Sequence, residues 1–524
     1  MDTSQRQINR AAITVMAAFL LSNLTGLARQ ILIADAFGTS RALDAFNTAQ
    51  RIPDLLFNLV AGGALASAFV PAFTGFLTRT DRAGAWRLAS GVMTLAALSL
   101  AVISALAAAL APAIIGLIGA GLPPTEQALA AGLLRVLLLA PTIFGVSGLL
   151  MGILNAHQHF LLPALAPTFY WLGMITGLLL WVPAYGIYGL AWGAVLGAGL
   201  HLAVQLPGLR GLPERRLRPA FSWSDPAVRE VLRLMGPRLL GVAAVQLNFL
   251  VNTALATFLP GGASALDYAW RIFTMPQVII AQGIAIAALP AFSAMAARGE
   301  INAMRTSLAD TLRLVLFLTL PATVGLLLLG QPVTALFFQR GSFDAASTAL
   351  VAWPLACYTL GLVSHSVVEI VARAYYALKD TWTPVWVGAA AMGLNILLNF
   401  ALADGFTRLG WPAHAGLALA NTLATTGEMV VLAWLMRRRL DGLALTRIWP
   451  GLWRAALAAA GMGAGLLVWS SQTAGASPWL AGLGGVAAGA GLFWLSAYAL
   501  RSPEARQFTD LALRRLSGLL KRTG

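Results

Sequence analysis

Few residues of this 524-residue chain are suited to metal or redox chemistry. It has one cysteine, Cys357, and five histidines that show no ligand spacing. A single cysteine excludes a disulfide framework and a thiolate metal site within the chain, and the scattered histidines predict no structural metal. The sequence also lacks a phosphate-binding loop, a nucleotide-binding motif and a nucleophile elbow. It therefore predicts a protein that is not an enzyme and has no cofactor.

Charged residues are scarce as well, at 10% of the chain, whereas hydrophobic residues make up 58%. A soluble protein of this length has no core large enough to hold that much apolar surface. Apolar runs of about 20 residues, separated by Gly, Pro or charge clusters, predict an all-α integral membrane protein with about 14 transmembrane helices. The predicted spans are 11–37, 44–77, 89–118, 128–155, 161–183, 186–207, 230–259, 265–296, 309–330, 347–377, 383–403, 413–436, 452–472 and 478–500.

The basic residues are distributed unevenly between the two sides of the predicted membrane. With the N-terminus inside, 26 of the 35 Lys and Arg residues lie in inner segments, and only Arg41, Arg340 and Arg408 lie in outer loops. This bias predicts that both termini lie in the cytoplasm. The net charge of +15 then reflects contact with anionic membrane lipids. We expect no binding of nucleic acid, because spans interrupt the basic clusters.

Part of the N-terminal half of the sequence recurs in the C-terminal half. Residues 49–52 (Ala-Gln-Arg-Ile) match 269–272 (Ala-Trp-Arg-Ile), and residues 70–73 (Val-Pro-Ala-Phe) match 289–292 (Leu-Pro-Ala-Phe). The repeat predicts two pseudo-symmetric six-helix lobes, followed by two extra C-terminal helices. The predicted boundaries are an N-lobe at 1–207, a cytoplasmic linker at 208–229, a C-lobe at 230–436, spans 13 and 14 within 437–500, and a basic cytoplasmic tail at 501–524.

Six arginines lie within or at the edges of predicted spans, and they are Arg29, Arg51, Arg135, Arg238, Arg271 and Arg373. An arginine at mid-bilayer costs roughly 2.5–3.5 kcal/mol, so each needs a partner or a wet cavity. Arg373 has Glu369 one helical turn before it, which predicts a structural ion pair. We expect Arg135 to extend its charge to the outer interface, and Arg238 to lie at the inner interface.

Arg29, Arg51 and Arg271 lack so evident a helical partner, and Arg51 and Arg271 occupy matching places in the repeat. Guanidinium groups bind phosphate oxygens in bidentate fashion, so these arginines predict a cationic cavity for an anionic ligand such as a pyrophosphate. We expect Asp44 to orient Arg29 or Arg51 when the ligand is absent. In the alternative interpretation, each arginine is a helix-end anchor paired with a local acid.

Glycines mark equivalent places in spans 2 and 8. Gly62 and Gly63 lie in span 2 and Gly283 lies in span 8, and prolines bracket both spans. Glycine and proline in corresponding helices of two halves are typical of bent or broken helices at a binding site. The alternative is close packing of helices through small residues, and the sequence allows both.

Short motifs spread over essentially the whole chain carry a family resemblance. They are Gly26-Leu27-Ala28-Arg29, Phe37-Gly38, Asp44-Ala45-Phe46, Arg51-Ile52-Pro53, Ala68-Phe69-Val70-Pro71, Met235-Gly236-Pro237, Tyr268-Ala269-Trp270-Arg271, Leu336-Phe337-Phe338-Gln339-Arg340-Gly341, Lys379-Asp380-Thr381-Trp382-Thr383-Pro384 and His414-Ala415-Gly416. With these motifs the chain resembles the lipid II flippase family (MurJ, also called MviN), within the multidrug, oligosaccharidyl-lipid and polysaccharide exporters.

The resemblance implies a fold and a substrate. Two six-helix lobes would form a V that opens alternately to either side of the membrane, and spans 13 and 14 would form a groove for a polyprenyl tail. The substrate would be undecaprenyl-pyrophosphate carrying the peptidoglycan disaccharide-pentapeptide, and the membrane would be the bacterial cytoplasmic (inner) membrane. By motif, Arg29 and Arg271 match arginines of the family's central cavity, Asp44 matches an acid near the start of span 2, and Arg51 matches a basic position. The chain departs from the family's charges at Asn23, Gln30, Phe57 and Gly62.

Some family members hold sodium between spans 7, 11 and 12. The corresponding region here offers Asn248, Asn252, Asn395, Asn399 and Thr422 but no clear carboxylate, so we expect a weak cation site at most. Because the chain has no ATP-hydrolysing motif, transport would draw on the membrane potential, a monovalent cation gradient or the flux of substrate.

Three functions besides lipid II transport stay open at this stage. The first is a flippase for another polyprenyl-linked glycan, and the second is a drug/cation antiporter, against which spans 13 and 14 and the arginines argue. The third is a non-transporting membrane scaffold derived from this fold, which the missing family charges permit. The partners expected for the main interpretation are the polyprenyl-pyrophosphate lipid, membrane lipids and proteins of cell-wall synthesis.

Overall fold

The computed structural model describes residues 3–60, 64–212 and 216–510, with the backbone alone at 3–14, 60, 64–67, 236–238, 240–241 and 244. These residues are mostly helical, and no β-strand occurs among them. They form two compact units. The first unit is Met1–Ser264 with Arg340–Phe343, and the second is Ala265–Gln339 with Asp344–Gly524.

The first unit contains eleven complete helices among the described residues. They are α1 (Thr3–Phe37), α2 (Arg41–Val60), α3 (Ala64–Thr78), α4 (Arg82–Ala109), α5 (Ala111–Ile118), α6 (Pro124–Leu137), α7 (Ala140–Ala156), α8 (Leu161–Thr176), α9 (Val182–Tyr185), α10 (Ile187–Ala203) and α11 (Pro226–Ala256). A π-helical turn, Gly177–Trp181, joins α8 to α9, and a 3₁₀ turn, Leu206–Leu209, follows α10. Helix α11, predicted as the first span of the C-lobe, groups with this unit, and the lobe boundaries stay a prediction.

The remaining helices begin with α12, whose first turn lies in the first unit and whose remainder lies in the second. They are α12 (Gly262–Gln277), α13 (Gly283–Ala297), α14 (Ile301–Phe338), α15 (Ala345–Leu360), α16 (Leu362–Ala377), α17 (Trp382–Arg408), α18 (Ala413–Arg439), α19 (Leu445–Gln472) and α20 (Gly485–Ala499). π-Helical turns at Val278–Gln282 and Trp479–Gly484 precede α13 and α20. Residues 503–510 add a further helical segment after α20.

Most of these helices are long and apolar enough to cross a membrane. Eleven spans qualify among the described residues, and a twelfth is added if α15 and α16, bent by 45° at Gly361, form one span. Their limits follow the predicted ones closely, as at Leu161–Tyr185 and Ala413–Arg439. The protein is therefore a multi-pass membrane protein.

Two predicted spans are not among those that are long and apolar enough in the described residues. Span 2 corresponds to α2 and α3, between which residues 61–63 lie outside the described part, and span 7 corresponds to α11. Both carry several charges, and only shorter apolar stretches, Ala68–Thr78 and Val245–Ala256, are found there. The number fourteen and the division into two six-helix lobes stay a prediction.

Helices α3 and α13 show that the sequence repeat is also a structural one. Each has 15 residues and carries a proline at its eighth position, Pro71 in α3 and Pro290 in α13. The phenylalanine two residues later is fully buried in both, Phe73 in the first unit and Phe292 in the second. The matched sequences therefore form matched helices with the same buried face.

Each unit has its own apolar core. The core of the first unit includes Phe69, Phe73, Trp86, Ile153 and Val228. That of the second includes Phe292, Met304, Ile370, Tyr375 and Met436.

Aspartates cap the start of three of the helices. The carboxylates of Asp81, Asp225 and Asp344 accept hydrogen bonds from backbone amides in the first turns of α4, α11 and α15 at 2.7–2.9 Å. These bonds satisfy amides that have no partner within the helix.

The short segment Arg340–Phe343 lies in the first unit although the helices before and after it, α14 and α15, belong to the second. The Ser342 amide donates to the Asp35 carbonyl at 2.8 Å, and the Ser342 hydroxyl donates to the Ala36 carbonyl at 3.1 Å. Gly38 and Gly341 both have φ near +50°, and a Cβ on Gly38 would lie 2.2 Å from the Ser342 carbonyl oxygen. The family motifs at 37–38 and 339–341 therefore provide the close backbone contact that fixes this segment to the end of α1.

Candidate functional site

Arg29 is buried inside the first unit. Its side chain is 3% exposed, and the guanidinium carbon lies 4.3 Å from the centre of the Trp171 ring on α8. The guanidinium donates to the side-chain oxygen of Gln30 at 2.8 Å and to the Met174 sulfur at 3.5 Å. Gln30 thus provides a neutral acceptor for the Arg29 charge. The charge of Arg29 is enclosed in this conformation, and its contact with substrate stays a prediction.

Asp44 holds the start of α12. Its two carboxylate oxygens accept hydrogen bonds from the amides of Gly261 and Ser264 at 2.7 and 2.8 Å, and from the Ser264 hydroxyl at 2.7 Å. The residue is completely buried. A carboxylate at a helix N-terminus satisfies unpaired amides and interacts favourably with the helix dipole. The expectation that Asp44 orients Arg29 or Arg51 is therefore wrong, because its oxygens are bound to a helix start 217–220 residues away.

Arg51 lies on α2 against α11 of the same unit. Its Nε donates to the hydroxyl of Thr253 at 2.9 Å, and its guanidinium carbon lies 5.6 Å from the centre of the Phe249 ring. The side chain is partly buried. These contacts place the charge beside polar and aromatic groups of α11, and its binding of substrate stays a prediction.

Arg271 has a helical partner, contrary to the expectation from the sequence. Its Nε donates to Asp267 Oδ2 at 2.7 Å, and its Nη2 lies 3.5 Å from Oδ1. Asp267 is four residues earlier on α12, the same spacing that predicted the Glu369–Arg373 pair. The Arg271 side chain remains 39% exposed. The pair fixes the direction of the guanidinium and leaves part of it open to solvent or ligand.

The other span arginines have structural partners where they are described. The predicted Glu369–Arg373 pair is confirmed, with an Nη2–Oε1 distance of 2.5 Å. Arg135 is exposed and donates to the Ala108 carbonyl at 3.3 Å, in the last turn of α4, where carbonyls lack helical partners. The side chain of Arg238 lies outside the described part.

The predicted cation-binding residues form two amide pairs and one hydroxyl contact. Asn252 donates to Asn248 at 3.0 Å on α11 in the first unit. Asn399 donates to Asn395 at 3.2 Å on α17 in the second unit, and the Thr422 hydroxyl donates to the Cys357 carbonyl at 2.8 Å. The side-chain oxygens of Asn248 and Asn395 thus each accept a neutral donor, and cation binding stays a prediction.

Of the three predicted hinge glycines, only Gly283 lies in the described part, since Gly62 and Gly63 lie outside it. Gly283 directly follows the π-helical turn Val278–Gln282. A Cβ at this position would meet no atom of the described residues within 4 Å. Close packing therefore does not require glycine here, and its use as a bending point stays a prediction.

A partly open apolar cavity of about 410 Å³ lies in the second unit. Four helices line it, contributing Ile272, Met275 and Pro276 from α12, Phe317, Pro321 and Phe337 from α14, Met462 and Leu466 from α19, and Gly485, Gly489, Phe493 and Trp494 from α20. The sequence indicated α19 and α20 as a lipid-facing groove. It gave no signal that α12 and α14 form the opposite wall, because hydropathy identifies apolar helices but not the helices against which they pack.

Comparison with models of protein families shows the family to which the chain belongs. A family model described as lipid II flippase MurJ matches residues 33–481. The chain belongs to the MurJ family. The family resemblance of the sequence motifs is thereby confirmed. The family model and the relatives are named as lipid flippases, which are transporters. The chain is therefore not an enzyme.

Relatives in the MurJ family match over most of their length. The lipid II flippase MurJ of Burkholderia cenocepacia is 33% identical over 438 residues, which cover 82% of this chain and 84% of that protein. The probable lipid II flippase MurJ of Vibrio cholerae is 31% identical over 453 residues, covering 82% and 83%.

Solved structures show the same fold. A lipid II flippase MurJ in an inward closed conformation matches with a TM-score of 0.78 and 24% identity, covering 93% of this chain and 98% of that one. An inward-facing multidrug resistance MATE family transporter of the MOP superfamily matches with a TM-score of 0.69 and 17% identity, covering 83% and 99%. The fold is therefore shared by the MurJ and MATE transporters.

Proposed function

We propose that this chain is a lipid II flippase. It moves the undecaprenyl-pyrophosphate-linked peptidoglycan precursor from the inner to the outer leaflet by alternating access. The observation that carries the proposal is membership of the MurJ family over residues 33–481, with relatives named as lipid II flippases along most of the chain. The localisation that follows is the cytoplasmic membrane, with both termini on the cytoplasmic side as the basic residues predict.

Arg271 is the side chain best prepared to meet the pyrophosphate. Asp267 holds its guanidinium in one direction, and 39% of the side chain is exposed. A planar guanidinium binds two phosphate oxygens at once without deprotonating. Arg51 and Arg29 are proposed as further contacts. Arg29 would have to leave its place on the Trp171 ring to join them, so we propose that it engages the substrate in another conformation of the cycle.

The apolar cavity supports a site for the polyprenyl tail. Its lining side chains are hydrocarbon, aromatic or thioether groups from α12, α14, α19 and α20. An isoprenoid chain needs no hydrogen-bond partner and gains dispersion contacts in such a space. The gain over membrane lipid is small, because lipid tails are equally apolar. The cavity would therefore guide the tail rather than hold it tightly.

A flippase for another polyprenyl-linked glycan is the second candidate. It is favoured by the reduced charge of the first unit, where the neutral Gln30 accepts a hydrogen bond from Arg29. A neutral acceptor leaves the Arg29 charge less compensated than a carboxylate would. Such a site would still bind pyrophosphate, but its preference among attached glycans would differ.

Two measurements test the function. The first is growth of a strain depleted of its essential lipid II flippase and supplied with this chain. The second is the flipping of lipid II and of an undecaprenyl-pyrophosphate carrying an unrelated glycan, in liposomes that contain the purified protein. We expect rescue of growth and faster flipping of lipid II. Flipping of the other glycan alone would support the second candidate, and flipping of neither would support a non-transporting scaffold.

Energy coupling and partners are also proposals. A gradient of a monovalent cation or the membrane potential would drive transport, and proteins of cell-wall synthesis would supply and use the lipid. Liposomes loaded with potassium and treated with valinomycin carry a membrane potential in potassium-free buffer and almost none in buffer of equal potassium concentration. Measuring flipping under both conditions, with and without a sodium gradient, would separate the two energy sources.

A further inference from the structure

The chain turns back on itself after α20. Arg501 adopts a left-handed backbone conformation with φ of +55°, and the Ser502 amide donates to the Ala497 carbonyl at 2.9 Å. Residues 503–510 then form a helical segment, called the C-terminal segment here. The Ser502 hydroxyl, fully buried, donates to Glu504 Oε2 at 2.6 Å. The start of the segment is therefore fixed to the end of α20.

A buried ion pair joins the C-terminal segment to α14. Glu504 pairs with Arg313, and the Glu504 side chain is only 4% exposed. Helix α19 passes directly over this pair, because a Cβ on Gly451 would lie 2.5 Å from the Arg313 side chain and 3.1 Å from Glu504 Oε1. A charge so deeply buried requires its partner, since removing one member of a buried pair leaves an uncompensated charge. Glu504 and Arg313 therefore hold α14, α19 and the C-terminal segment together at one point.

This point lies directly beside the apolar cavity. Phe317, one helical turn after Arg313, lines the cavity and packs on Phe493 with ring centres 5.1 Å apart. Trp494, which also lines the cavity, meets Phe508 of the C-terminal segment edge to face at 6.2 Å. The C-terminal segment thus contacts the cavity wall through Phe508. Through Glu504 it also pairs with Arg313, one helical turn before the cavity-lining Phe317 on α14.

We propose that the C-terminal segment forms the inner end of the polyprenyl-tail site, with Arg313, Glu504 and Phe508 as its positioning residues. The proposal rests on the proposed flippase function. The charge bias places this end of α14 and α20 on the cytoplasmic side, where a lipid enters from the inner leaflet. Holding α14 and α20 at a fixed separation keeps the cavity open to a long tail. We expect a short tail to depend less on this cavity than a long one, so that its transport is largely independent of the segment.

The test compares two lipids in liposomes containing the full-length protein. One is lipid II with its undecaprenyl tail, and the other is an analogue with the same head group on a farnesyl tail. We expect Glu504→Gln to slow the flipping of the long lipid about tenfold and to change that of the short lipid less than about twofold. The control variant is Glu300→Gln, which breaks the exposed Arg298–Glu300 pair in the loop before α14, and it should flip both lipids like the wild type.

A second variant covers the case in which Glu504→Gln fails to fold. Phe508→Ala keeps the ion pair and removes only the contact with Trp494, and it should show the same selective loss for the long lipid. An equal loss for both lipids, or no loss in either variant, would overturn the proposal. A wild-type protein that flips neither lipid would overturn the flippase function itself.

Discussion

The residues singled out from the sequence as candidate site residues differ in the contacts that already hold them. Arg29 lies on the Trp171 ring with 3% exposure, whereas Arg271 is held by Asp267 and is 39% exposed. Asp44 is completely buried with its oxygens bound to the first turn of α12. Of these three residues, only Arg271 is exposed enough to meet a ligand without first breaking its contacts.

Replacing Arg271 tests the proposed contact with pyrophosphate. We expect Arg271→Ala to abolish rescue of a depleted strain while the protein remains in the membrane, because one charge-assisted contact worth about 1.5–3 kcal/mol is lost. Arg408→Ala is the matched control, since Arg408 forms the same type of pair with Asp404 four residues earlier and is highly exposed. Full rescue by Arg271→Ala at native expression would show that the residue only pairs with Asp267.

Replacing Arg29 by lysine tests whether the shape of the charged group matters. Arg29→Lys keeps the charge but loses the planar group that stacks on Trp171 and donates to Gln30 and Met174. Arginine and lysine are not equivalent at stacked or bidentate sites. We expect flipping of lipid II to fall for the lysine variant as it does for Arg29→Ala. A lysine variant with wild-type flipping would mean that Arg29 supplies only a point charge.

At the scale of elements, Asp44 links the stability of α12 to α2. We expect Asp44→Ala to destabilise the protein by about 2 kcal/mol or more, because buried amides and a hydroxyl lose a charged acceptor. The comparison is Asp344→Ala, an exposed cap of α15, which should cost about 1 kcal/mol. Thermal unfolding in detergent measures both. A smaller loss at Asp44 than at Asp344 would contradict the capping role.

The turn between α16 and α17 predicts a dependence of stability on pH. Burial raises the pKa of Asp380, but hydrogen bonds from the Thr383 amide and hydroxyl and the Arg439 guanidinium outweigh it, so the pKa lies below the usual range. A lowered folded-state pKa stabilises the fold above the unfolded-state pKa of about 3.9, and this contribution is lost as the pH falls through the folded-state pKa.

The measurement is thermal unfolding from neutral to acid pH for the wild type and Asp380→Asn. The wild type should be more stable at neutral pH, and the difference should shrink below about pH 4 as Asp380 protonates. A difference that stays constant over this range would mean that the carboxylate charge contributes nothing.

Hydropathy was sufficient for most helices, because a bilayer requires about 20 apolar residues whatever their packing partners. For α2 and α11 the predicted spans stay a prediction, because both helices carry charged residues and only shorter apolar stretches are found in their described parts. The π-helical turns before α13 and α20 leave no trace in the apolar pattern. The Arg271–Asp267 pair was readable from its spacing alone. The role of Asp44 was not, since its partners lie 217–220 residues further along the chain.

At the scale of the whole molecule, truncation tests the role of spans 13 and 14. We expect truncation after Arg447, which removes most of α19 and all of α20, to leave a folded membrane protein with impaired transport of the long-chain lipid. Lipid chains can cover the exposed face of α14, because membrane helices gain little from burying apolar surface. The measurements are membrane level and flipping of lipid II, with truncation after Asp510 as the control. Normal transport by the shorter chain would assign α19 and α20 to assembly instead.

The segment Arg340–Phe343 belongs to the first unit but is translated after residues 265–339 of the second unit. Ser342 donates hydrogen bonds to carbonyls at the end of α1. The contiguous part of the first unit ends at Ser264, and Ser342 is translated 78 residues later. At roughly 5–20 residues per second this delay is about 4 to 16 seconds. During that time α12, α13 and α14 have to enter the bilayer. The first unit therefore receives its last four residues only after a large part of the second unit has been translated.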